Sequence, residues 1–264
     1  MTDELLYNVD EGVILVVSII VLLVVSEIGN RLGRRARTRM DDAGKSQTNA
    51  LQGAIIGLLA LLLAFTLSMA INRFETRRQL VLDEANAIGT TYLRAKMLPL
   101  PYATDAQNLL RQYVQNRLDY FNAGVDQARI QAAGDQAAQL QRQLWSIAVA
   151  VSAQDNRSVP TSLFVQTLND TIDLQAKRLA AFRNRVPETV IWLLLGVSVA
   201  AAGIVGYSNG LGNRRQVFGV LTLIVLITII IWVIFDLDRP RRGLILVSQE
   251  SMIGLQQFVT HDLP

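Results

Sequence analysis

Two runs mixing acids and arginines are the places in this 264-residue chain where side chains could do chemistry. One reads Asn72-Arg73-Phe74-Glu75-Thr76-Arg77-Arg78, with Glu84 and Asn86 beyond it. The other reads Asp236-Leu237-Asp238-Arg239-Pro240-Arg241-Arg242. Arginine and carboxylate at this density favour bidentate ion pairs, which fix one helix against another. The expected result is a polar network of Arg73, Glu75, Arg77, Arg78, Glu84, Asn86, Asp236, Asp238, Arg239, Arg241 and Arg242. In it Asp236 or Asp238 pairs with Arg73 or Arg77, and Glu75 or Glu84 with Arg239 or Arg242. The alternative is a divalent cation held by Asp236, Asp238 and a helix carboxylate such as Glu84. Calcium asks for six to eight oxygens, and the neighbouring arginines oppose it. No metal is therefore expected, with Asp236 and Asp238 as its weak candidates.

Other chemistries are excluded by residue type. The chain has no cysteine and a single histidine, His261, so a thiolate nucleophile, a multi-histidine metal site and a Ser-His-Asp triad fall away. No nucleophile motif or phosphate-binding loop is present, and Gly203-Ile204-Val205-Gly206 lies within an apolar run. No catalytic residue and no cofactor is expected, and the chain does not read as an enzyme.

The elements that must position the two runs are membrane helices. The chain is 51% hydrophobic and 18% charged, and the apolar excess is concentrated in blocks. These predict transmembrane helices over 12–29, 53–71, 188–207 and 217–235, each near the ~20 residues that cross a bilayer. Segment 72–186 reads as a helical extramembrane domain, and 236–264 as a polar C-terminal segment. The fold expected is therefore all-α, with a two-plus-two arrangement of spans around the domain. The second span continues into water as far as Met97, before Pro99 and Pro101. A helix capped by Thr104 or Asp105 follows, with Leu109, Leu110, Tyr113, Leu118 and Phe121 as its apolar stripe. A third helix over 126–151 carries Ile130, Ala137, Leu140, Leu144, Ile147 and Val151 near a seven-residue repeat. A fourth starts at Thr161 or Ser162.

An even number of spans puts both termini and the domain on one side. Arg31, Arg34, Arg35, Arg37, Arg39 and Lys45 after the first span, with Arg214 and Arg215 between the last two, place those short loops in the cytoplasm. By that rule the domain is extracytoplasmic. Arg73, Arg77, Arg78, Arg239, Arg241 and Arg242 pull the other way. Glu27 lies at a helix end one turn from Arg31, so a local ion pair is expected there. No transmembrane core contains another charged residue, which argues against a coupled transporter. A pI near 9.4 is assigned to headgroup-facing arginines, with the lipid bilayer rather than nucleic acid as partner.

The second span has two faces at helical spacing. Gly53, Gly57, Ala60, Ala64 and Ser68 form a small-residue stripe that lets helices approach closely. Opposite lie Ile55, Leu59, Leu62, Thr66 and Met69, with Phe65 between the faces. On one reading the stripe packs within the chain and the apolar face meets lipid. On the other, several copies surround a pore whose dewetting neck is Ile55, Leu59, Leu62, Phe65, Thr66 and Met69.

The run 57–101, GLLALLLAFTLSMAINRFETRRQLVLDEANAIGTTYLRAKMLPLP, with DLDRPRRGLILVSQ at 236–249, resembles the bacterial bestrophin-like membrane proteins. That family is distantly related to bestrophins, pentameric anion channels whose second helix lines a hydrophobic neck. The resemblance implies a homo-oligomer, a pentamer by analogy, in a bacterial inner membrane, conducting inorganic anions such as chloride. It also implies a cytoplasmic domain, against the charge rule. Of the acidic cluster that clasps calcium in bestrophins, Asp236 and Asp238 are what remains. The function expected is an anion-selective channel. The alternative is a non-conducting scaffold or sensor whose helix 126–151 binds a partner protein.

Overall fold

The computed structural model describes residues 9–212 and 216–261, among which there are eight helices and no strand. Arg214 and Arg215, between the last two predicted spans, lie outside them. The helices are α1 Glu11–Ala36, α2 Asp42–Ala95, α3 Tyr102–Asn122, α4 Gln127–Gln154, α5 Val159–Arg183, α6 Glu188–Leu211, α7 Val217–Asp238 and α8 Glu250–His261. Four stretches are long and apolar enough to cross a membrane: Glu11–Ala36, Asp42–Ala95, Val159–Leu211 and Val217–Asp238. The chain is thus an all-helical membrane protein of four candidate spans.

It divides into two compact units. The first comprises Met1–Asn72, Arg185–Arg239 and Gly243–Ile245, and the second Arg73–Asn184, Pro240–Arg242 and Leu246–Pro264. In the first, the membrane unit, Asp10 opens α1 by accepting a 2.8 Å bond from the Gly12 amide, which satisfies one of the free donors of a helix start. The α1 helix then runs against α6 through small residues. A Cβ on Gly29 would strike the Gly203 carbonyl, and one on Gly206 the Ser26 carbonyl. Gly33 stands in the same relation to Tyr207, and Gly210 to Asn30. Lipid tails are as apolar as leucine, so helices in a bilayer associate by close packing rather than by escape from water. Glycine at these four positions permits it. On α7 the buried stripe is Ile224, Ile227, Ile231 and Ile234, three to four residues apart, while Leu221, Val225, Leu226 and Ile229 stay exposed.

The second unit is built around an apolar core. Ile88 and Tyr92 of α2 pack with Leu110 and Tyr113 of α3, Leu144 of α4, Phe164 of α5 and Met252 of α8. Each such side chain contributes about 1.5–3 kcal/mol by leaving water. Several boundaries differ from expectation for local reasons. The α3 helix starts at Tyr102 behind Pro101, ahead of Thr104 and Asp105. Ser158, not Thr161 or Ser162, caps α5, its hydroxyl accepting from the Thr161 amide with Pro160 in the first turn. On α4 the buried seam runs through Ala133, Ala137, Leu140, Leu144, Ala148 and Val151, so the alanines replace Ile130 and Ile147 at the tightest points. The segment read as polar, 236–264, contains α8, whose Met252, Leu255 and Val259 join this core.

Candidate functional site

In the membrane unit the second span turns its small-residue stripe outward. Gly53, Gly57, Ala60, Ala64 and Ser68 are all exposed, and a Cβ on Gly53 or Gly57 would meet nothing within 4 Å. The small-residue stripe therefore does not pack within the chain. The buried face is centred instead on Leu59, Leu63, Thr66 and Ala70. Leu59 is 2% exposed and Thr66 3%, with the Thr66 hydroxyl turned back to the Leu62 carbonyl at 2.7 Å. These two neck candidates are occupied in packing within the chain. Ile55, Leu62 and Met69 are half-buried, and Phe65 is 64% exposed. Glu27 meets Arg31 at 3.0 Å, the local pair expected.

The second acidic run folds into this same unit as a set of backbone clamps. Asp236 is fully buried and accepts from the Leu244 amide at 2.7 Å and the Ile245 amide at 2.9 Å. Both bonds lie within this unit. Gly243, at φ +102°, makes that turn: this backbone region suits glycine, and a Cβ there would strike the Asp236 carboxylate. Asp238 accepts from the Val186 amide at 2.7 Å, which fixes the chain just before α6. Arg239 lies 3.6 Å from Glu11 and donates to the Val9 carbonyl at 2.8 Å. Among the described residues no three His, Cys, Asp or Glu side chains gather as a metal site would require.

In the second unit the first run disperses. Arg77 is buried and donates to the carbonyls of Ala181 at 3.1 Å and Asn184 at 2.9 Å, closing the end of α5. Glu75 and Arg78 pair with each other at 3.3 Å on the surface, Arg73 is half-buried, and Asn86 and Arg242 are exposed. Glu84 alone becomes a centre. It is fully buried, and its two oxygens receive Arg117 Nε at 2.7 Å and Arg178 Nη1 at 2.5 Å, rather than Arg239 or Arg242. Arg178 Nη2 also donates to Gln249 at 2.6 Å. One carboxylate on α2 thus ties α3, α5 and the start of α8 together. Arg241 closes the group, its guanidinium 4.4 Å from the Tyr120 ring and 5.3 Å from the Phe182 ring. It also donates to the Gly124 carbonyl at 2.9 Å.

A family model described as a bestrophin-like domain matches residues 20–252. The chain belongs to the bestrophin-like family. No curated protein and no solved structure matches it.

For this bestrophin-like chain the residues missed from sequence are Arg117, Arg178 and Gln249. A signal existed. Arg117 follows Leu110, Tyr113 and Val114 at helical spacing on the buried face of α3, where a solvated arginine does not belong. Burial is the largest single influence on both guanidinium groups and works against their charged form. For Arg178 burial prevails over the attraction of Glu84, helped by the like charge of Arg117, and its pKa is lowered. For Arg117 the attractions, led by Glu84 and Tyr113, outweigh burial and its pKa is raised. Tyr113 is pushed up to about 12, first by burial, with Arg117 opposing and Glu84 adding.

Proposed function

We propose that this chain is one subunit of a homo-oligomeric, anion-selective channel in a bacterial inner membrane, with α2 facing the conduction axis. The observation that carries the reading is the outward face of α2 in a chain of the bestrophin-like family. Gly53, Gly57, Ala60, Ala64 and Ser68 lie bare beside Phe65, while Leu59 and Thr66 face inward. A small-residue stripe suits contact between copies in lipid. Phe65, with Leu62, Met69 and Ile55 partly exposed around it, supplies the apolar ring a dewetting neck needs. The conducted ion is an inorganic anion such as chloride. Purified protein in planar bilayers tests the reading: chloride conductance is expected, with Leu62→Ala and Phe65→Ala raising leak current. Absence of conductance together with a monomeric mass in detergent would sink it.

The second reading is a non-conducting scaffold that binds a partner protein through α4. Trp145 and Val149 support it, since both are exposed one turn apart on that helix. Conductance that persists unchanged in a Trp145→Ser, Val149→Ser variant would count against it.

A further inference from the structure

The group around Glu84 does not balance its charge. Arg117 and Arg178 are 0% and 1% exposed, and the single buried carboxylate between them is fully used. Three guanidinium nitrogens are left over. Arg117 Nη1, Arg117 Nη2 and Arg178 Nε are buried with no hydrogen-bond partner. Native interiors satisfy nearly all such donors, and a buried charge without a counter-charge costs more than a neutral orphan. The rings nearby help only in part. Arg117 lies 5.0 Å from the Tyr120 centroid and Arg178 5.8 Å from that of Phe182, so partial ring charge faces a full cation. Arg241, on the same two rings, adds a third guanidinium and no acid.

We propose that this cluster is a buried anion site, in which Arg117 Nη1 and Nη2 and Arg178 Nε hold one halide-sized monovalent anion inside the extramembrane unit. An anion accepts the orphaned N–H groups and cancels the surplus charge, whereas a water molecule does only the first. Complete enclosure of both arginines by the core selects a single-atom ion over an oxyanion with its own hydration shell. Arg241 is half-buried and marks the side by which the ion enters. Gln249 presents its oxygen to Arg178 because its own amide nitrogen donates to the Val247 carbonyl at 3.0 Å. That oxygen takes Arg178 Nη2 and leaves Nε for the ion. The site does not depend on whether the protein conducts.

The test uses the full chain in detergent, unfolded thermally in sodium chloride or sodium gluconate at constant ionic strength. Wild type should gain several degrees in chloride, saturating with concentration as a bound ligand does. Arg117→Met removes one surplus charge and leaves a neutral Glu84–Arg178 pair, so its melting temperature should be the same in both salts. Equal melting of wild type in the two salts would overturn the proposal. So would a full chloride response in Arg117→Met, which places the ion elsewhere. Should that variant not fold, bromide-soaked crystals decide. An anomalous peak within hydrogen-bond reach of Arg117 and Arg178 is expected, and water-like density there overturns the site.

Discussion

Helix α1 meets α6 backbone to backbone, through Gly29, Gly33, Gly206 and Gly210, whereas α2, α3 and α5 meet in the second unit through one carboxylate and two arginines. The difference lies in how each seam is packed. In lipid there is no gain from burying apolar side chains against one another, so contact distance decides and side-chain volume is removed at the seam. In the second unit a cluster of large side chains, among them Tyr92, Tyr113, Leu144 and Phe164, fills the interior instead. It can then carry an ion cluster whose geometry fixes how the helices align. The membrane unit also uses charge: Asp236 and Asp238 accept from backbone amides.

The sharpest way to break this comparison is to remove the carboxylate. Glu84→Ala leaves two buried guanidinium groups without their carboxylate and should cost about 3–5 kcal/mol, read by denaturation of the purified protein. A loss below about 1 kcal/mol would mean that the apolar core, not the ion cluster, aligns these helices.

Next comes the glycine seam. Gly206→Ala places a methyl on the Ser26 carbonyl and should cost about 1–3 kcal/mol. Gly57→Ala meets open space, so the monomer should tolerate it within about 0.5 kcal/mol. If Gly57→Ala instead lowers the oligomer fraction in size-exclusion chromatography, the bare stripe of α2 is the contact between copies.

Alkaline pH sharpens the second half. Tyr113 has its pKa raised from 10.0 to about 12 in the folded chain, so its neutral form is favoured there. That contribution is fully present below pH 10 and is lost as pH rises to about 12, since the unfolded chain releases the proton first. Two units correspond to about 2–3 kcal/mol at most. Tyr113→Phe should lose about 1 kcal/mol at neutral pH, through its 3.0 Å bond from Gln141, and show a flatter fall above pH 10.

Arg241→Ala is the smallest of the series. It removes the stack on Tyr120 and Phe182 at the partly open edge, for about 0.5–1 kcal/mol by thermal melting.

How much was legible in the sequence depended on how far each feature relies on partners. The spans were legible because about twenty apolar residues in a row have one physical use. The continuation of α2 to Ala95 was legible too, since no proline or glycine cluster interrupts it before Pro99. The seam of α1 and α6 was not. Glycines at 29, 33, 203, 206 and 210 are spaced for it, yet the stripe of α2 has the same spacing and stands bare. Small size permits close approach but does not say which helix will arrive.

The amino-acid sequence by itself determined the four apolar stretches, the helical periodicity and the family, because these follow from local composition and pattern. Only the tertiary structure decided which charges meet. Glu84 could reach a run of arginines nearby in sequence, yet its partners are 33 and 94 residues away. An ion pair depends on which side chains a core brings within 3 Å and shuts off from water, and that depends on every helix packed around it. Arg117 on α3 and Arg178 on α5, far from Glu84 in sequence, became buried charges of the second unit beside it for that reason.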